Sequence, residues 1–121
     1  MKIKTSELTG PVLNWAVAKC DKRIIGFNLG GGLEVRGRTE DGAELPKQWD
    51  LWMPWHPSTD WAQGGPIIDQ ERIATFPIES AWRGTKIGEV SIDGPTPLIA
   101  AMRCFVASRL GNEVDVPEEL S

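Results

Sequence analysis

Six tryptophans, three phenylalanines and no tyrosine give this 121-residue chain a lopsided aromatic set, with Trp49, Trp52, Trp55 and Trp61 crowded into one segment. Trp49 and Trp52 alternate in a strand-like run, where burial in a core is the ordinary outcome. Trp55 and Trp61 are interleaved with Pro, His, Ser, Thr and Asp in a loop that has little core to join. Indole faces in such a setting stack on planar rings, a contact of about 1–3 kcal/mol per base in nucleic-acid examples. Ser58, Thr59, Asp60 and Gln63 gather donors and acceptors around these two rings, and Gly64 and Gly65, followed by Pro66, let a ligand approach the main chain closely. Asp60 suits ribose hydroxyls or an amino group. The structural alternative is that the indoles pack and that the Ser58-to-Gly65 stretch is one capped helical turn.

Two residues near the end of the chain extend this set. Thr96 opens the last predicted helix, where free amides and the positive dipole end suit a phosphate or carboxylate. Arg103 lies off the apolar stripe of that helix and offers a fork for an anion, its alternative being a surface ion pair. For catalysis the inventory is thin. His56 is the single histidine, and neither G-x-S-x-G nor H-E-x-x-H occurs. Cys20 and Cys104 fall inside predicted helices among apolar residues, without a C-x-x-C pattern, so they read as small core side chains rather than metal ligands or nucleophiles. Gly30, Gly31 and Gly32 lack the Lys and helix of a phosphate loop and fit a hairpin turn. No metal, cofactor or enzymatic activity is expected.

The elements that must position these residues follow from periodicity. Lys2 to Thr5 can begin as a strand. Residues 11 to 20 carry Val12, Leu13, Ala16, Val17 and Cys20 at helical spacing behind Thr9, Gly10 and Pro11. RIIGFNL and LEVRGR read as a hairpin around the glycine triplet, Asp41–Gly42 and Pro46 as breaks, and Lys47 to Trp52 as a strand. Residues 54 to 66 read as an ordered loop with one helical turn capped by Ser58, and PIID, RIATFPI and KIGEVSI as short strands with Trp82 between the last two. Thr96 and Pro97 start the clearest helix, LIAAMRCFVASRL, which Gly111 ends. The expected fold is α+β: a small, mostly antiparallel sheet flanked by an N-terminal and a C-terminal helix, in a single domain over residues 1–121.

Charge narrows the partners. Thirteen Lys plus Arg against seventeen Asp plus Glu give a net charge of -4 and a pI near 5.0, which works against general nucleic-acid binding. The excess sits in an acidic tail, residues 112–121. It reads as a solvated terminus or, because Val114 and Val116 alternate with acids, as an added edge strand. No apolar run approaches the roughly 18 residues of a membrane span, and the start lacks a greasy signal stretch, so a cytoplasmic protein is expected. Short strands and surplus aromatic area also predict a homo-oligomer.

Three blocks, KTSELTGPVLNWAVAKC, PSTDWAQGGPII and GPTPLIAAMRCFVASRLGNEVDVPEEL, resemble the NinX-like proteins of lambdoid bacteriophages and prophages. Residues 21–53 and 74–93 carry none of this resemblance. It implies a phage accessory protein in the cytoplasm of a bacterial host and implies no reaction. The functional expectation is a non-enzymatic counter-defence module that binds and sequesters a small nucleotide-derived signalling molecule. A protein-binding inhibitor of a host factor and a small hydrolase using His56 are the alternatives.

Overall fold

The computed structural model describes residues 1–38 and 52–120. Its centre is α3 (Pro97–Leu110), and the local chemistry that starts it is the one expected: Thr96 Oγ1 accepts from Ile99 N at 3.1 Å, Pro97 occupies the first turn, and Gly111 follows the last residue at φ 84°. Leu98, Ala100, Ala101, Met102, Cys104, Phe105 and Val106 are buried, more than a single stripe. The reason is a close approach. The antiparallel meander β5 (Ala74–Ile78), β6 (Ala81–Lys86) and β7 (Val90–Gly94) presents Gly84 and Gly94 to α3, and a Cβ at either would lie 2.7 Å from the backbone of Ala100. The helix therefore seats directly on the strands, where a side chain would hold it off.

On the other side of α3 lies α1 (Gly10–Cys20), whose Leu13, Ala16, Val17 and Ala18 join the same core. α1 also packs against a second antiparallel sheet of β2 (Arg23–Phe27), β3 (Leu33–Arg38) and β4 (Met53–Pro54), in which Val35 is fully buried. The β2–β3 hairpin closes as anticipated through the glycines: Asn28 Oδ1 accepts from Gly30 N and Gly32 N, and Gly31 takes φ 83°. A third, two-stranded sheet pairs β1 (Lys2–Lys4) with β8 (Glu113–Asp115).

The class is α+β, with three helices and three antiparallel sheets among the described residues, and it departs from the sequence reading in four places. The strands form three small sheets rather than one, because each packs against a different helix or the chain ends. Residues 61–71 form a helix, α2 (Trp61–Glu71), running through Gly64, Gly65 and Pro66, where one turn and a PIID strand were expected. β6, holding Trp82, completes a meander that the sequence reading left as two strands. The acidic tail is no solvated terminus: Val114 and Val116 are 3% and 2% exposed, and β8 pairs residue for residue with β1. The expected breaks at Asp41–Gly42 and Pro46, and the Lys47–Trp52 strand with Trp49, lie outside the described residues apart from Trp52 itself.

Candidate functional site

Trp55 belongs to the core, which corrects its reading as a loop indole. It is 3% exposed, its Nε1 donates to Asn14 O at 3.0 Å, and the Arg23 guanidinium lies 4.9 Å from the ring centroid. Asp21, itself buried, holds Arg23 at 2.8 Å. Asn14, on the buried face of α1, anchors this segment twice, since its backbone O takes the Trp55 N–H and its Oδ1 accepts from Ser58 N at 3.0 Å. Ser58 is thus buried as an anchor rather than a cap, and among the described residues its Oγ has no hydrogen-bond partner. Asn14 sits between apolar neighbours in the sequence, and a buried polar position was the available signal for it.

The cap of α2 is Asp60, whose Oδ1 accepts from Ala62 N at 2.9 Å while Oδ2 lies 3.5 Å from His56 Nε2. Gln63 ties the preceding segment down: Oε1 accepts from His56 N and Nε2 donates to Pro54 O, both at 2.7 Å. Thr59 is exposed and its hydroxyl donates to His56 O at 3.3 Å. Gly64 is required by packing, because a Cβ there would lie 2.5 Å from Pro57 O and 2.6 Å from Leu98 Cδ1. Gly65 has nothing within 4 Å of such an atom. Trp61, the first residue of α2, is 55% exposed.

Gly64 meets Leu98 near both helix starts, and Glu71 Oε1 accepts from Arg109 Nη2 at 2.8 Å near both ends, so α2 and α3 run in the same direction. Glu71 also takes Lys86 Nζ at 2.9 Å, and that hydrogen bond raises the pKa of Lys86. The starts of α2 and α3 therefore lie at one end of the molecule, with no acid in either first turn. Thr59, Asp60, Trp61 and Gly65 stand at or just before the start of α2, and Thr96 caps the start of α3.

Arg103 does not join them. Five residues past Leu98, it stands about 140° away around the helix. It lines a cleft of about 730 Å³ with Ser6, Ser80, Arg83, Ser91 and Asp93. A separate cleft of about 220 Å³ is lined by Arg23, Trp55, Gln63 and Ile67. The sequence-predicted set is thus divided between a buried anchor (Trp55, Ser58), a clamp (Gln63, Gly64), a helix-start group and a distant arginine. Arg23, Asn14 and the serines around Arg103 were not foreseen.

The described residues form a small α+β fold in which the starts of α2 and α3 lie at one end and Trp61 is exposed at one of them. The family model described as Bacteriophage P22, NinX matches residues 4–109, and the chain belongs to that family. The matched span includes residues 21–53 and 74–93, outside the three sequence blocks, and ends before β8. No curated protein matches the chain. Among the described residues no helix is long and apolar enough to cross a membrane.

Proposed function

We propose that this phage protein acts in the host cytoplasm as a counter-defence module that binds and sequesters a small nucleotide-derived signalling molecule. The observation that carries the reading is the parallel packing of α2 and α3, which sets two helix starts side by side with Trp61 exposed at one of them. A base stacks on the Trp61 indole, and ribose hydroxyls meet Asp60 and Thr59. The Asp60 carboxylate repels phosphate, so the phosphate goes to the α3 start, where Thr96 is neutral and the dipole end is positive. Trp55, Ser58, Gln63 and Gly64 hold the loop in place beneath the ligand.

Calorimetric titration with cyclic dinucleotides and ADP-ribose derivatives tests this, followed by denaturation and recovery of the ligand. Binding with intact ligand recovered, and a loss of about tenfold in affinity in Trp61→Ala, is the expected result. Absence of binding to all of them, or a cleaved product, overturns sequestration.

The protein-occluding alternative draws on a separate observation. Trp52 is 47% exposed, lies against Gly26, and has the Arg36 guanidinium 5.3 Å from its ring, a braced indole on the outside of the β2–β3–β4 sheet. Under that reading Trp52→Ala, and not Trp61→Ala, removes the protein's effect on infected cells.

A further inference from the structure

Among the described residues, Arg103 is a cation held by backbone carbonyls and paired with no carboxylate. Its Nε donates to Leu8 O at 2.7 Å and its Nη1 to Asp93 O at 2.9 Å, so two backbone carbonyls orient the guanidinium without bringing a countercharge. The Asp93 carboxylate is engaged elsewhere, with Oδ1 2.8 Å from Arg83 Nε and Oδ2 3.3 Å from Arg83 Nη2. That hydrogen bond and charge hold Asp93 below the usual carboxylate range. Burial lowers the pKa of Arg103 below its ordinary value, yet an arginine stays protonated at neutral pH. A partly desolvated charge of this kind is stabilised by an anion in the space it faces.

That space is the cleft of about 730 Å³, within the ~300–1,000 Å³ of small-molecule sites and far larger than a bare oxyanion needs. Ser6 and Ser80, both exposed, line it with freely turning hydroxyls, and Ser91 Oγ lies 2.9 Å from Thr85 Oγ1. With Nε taken by Leu8 O, the side-on fork that grips a planar carboxylate is closed. Nη2 has no bond among the described residues and remains for the ligand. The two N–H of Nη2, the second N–H of Nη1 and hydroxyls arriving from several directions match a tetrahedral oxyanion.

We propose that the cleft bounded by β6, β7 and Arg103 is a binding site for the phosphate group of a small molecule, held by Arg103 with the Ser6 and Ser80 hydroxyls. No residue of α2 lines it, so the site does not depend on Trp61, although Gly94 and Pro95 bring its wall next to Thr96.

Titration of ¹⁵N-labelled protein with inorganic phosphate at constant ionic strength, beside acetate, reads the site directly. Saturable shifts are expected at the amides of Ser6, Ser80, Asp93 and Gly94 and at Arg103 Nε–H, with acetate much weaker. Arg103→Gln is expected to weaken phosphate by about tenfold. Because Arg103 also holds two backbone carbonyls, a Ser6→Ala/Ser80→Ala double variant is titrated alongside. It should lose several-fold in affinity without a change in melting temperature. No saturable shift, shifts confined to other residues, acetate as tight as phosphate, or undiminished affinity in the folded variants overturns the proposal. Trp61→Ala is expected to leave the phosphate titration unchanged, and a loss there overturns the independence of the two sites.

Discussion

Cys20, at the end of α1, and Cys104, inside α3, pack in or against the hydrophobic core, and burial raises their pKa from 9.0 to about 12 and about 11. Both stay neutral thiols at physiological pH, unsuited to nucleophilic work. The linkage has a defined sign. Each thiol holds its proton in the fold above pH 9, where the unfolded chain has released it, so stability is full below about 9 and falls as pH climbs toward 11. Up to about 1.4 kcal/mol per pH unit is lost for each thiol. Thermal melts from pH 8 to 11 should show a steeper decline for the native sequence than for a Cys20→Ala/Cys104→Ala variant. Equal slopes would contradict the burial account. At neutral pH the same substitutions should lower stability and leave ligand binding intact.

The element in which local and tertiary demands conflict is α2. Gly64, Gly65 and Pro66 each weaken a helix, and Pro66 removes the hydrogen bond to Ala62 O. The helix persists because Asp60 caps it, Ile67 enters the core, and Gly64 lets it close onto Leu98. Gly64→Ala should therefore destabilise by about 1–3 kcal/mol through overpacking. Gly65→Ala, in open space at a helical position, should stabilise by about 0.5–1 kcal/mol. Asp60→Ala should remove about 1 kcal/mol. Urea denaturation of the three variants checks the order, and a Gly64→Ala protein as stable as Gly65→Ala would show that α2 does not close on α3 in this way.

At the scale of the molecule, the chain ends close the structure. Beyond the β1–β8 pairing, Thr5 Oγ1 donates to Gly111 O at 2.6 Å, Val116 N donates to Met1 O at 2.8 Å, and Val114 and Val116 fill the core. Deleting residues 112–121 exposes the partners of two buried valines, each contributing about 1.5–3 kcal/mol. The truncated protein should melt well below the full chain, and an unchanged melting temperature would mean the tail is undocked in solution. Self-association belongs to this scale too. Phe27, Trp52, Met53 and Phe76 are between 39% and 53% exposed, and β5 and β7 are sheet edges. Light scattering is expected to give twice the 13.3 kDa chain mass, and a monomer at micromolar concentration would refute it.

Local chemistry alone determined α1, α3 and the β2–β3 hairpin. A proline in the first turn, Thr96 as a cap, Gly111 beyond the end, and Asn28 with its glycines act within a few residues, and nothing distant opposes them. The NinX kinship was legible in the same way, as strings of residues. What the sequence could not decide were contacts between segments far apart. Trp55 is buried because Asn14 on another element receives its N–H. α2 overrides its glycines and proline because Leu98 and Pro57 leave room for no more than a hydrogen at position 64. The acidic tail docks because β1 offers it an edge. Arg103 parts from Trp61 because a helix turns about 100° per residue: α3 presents Leu98 to α2 and carries the arginine round to β7.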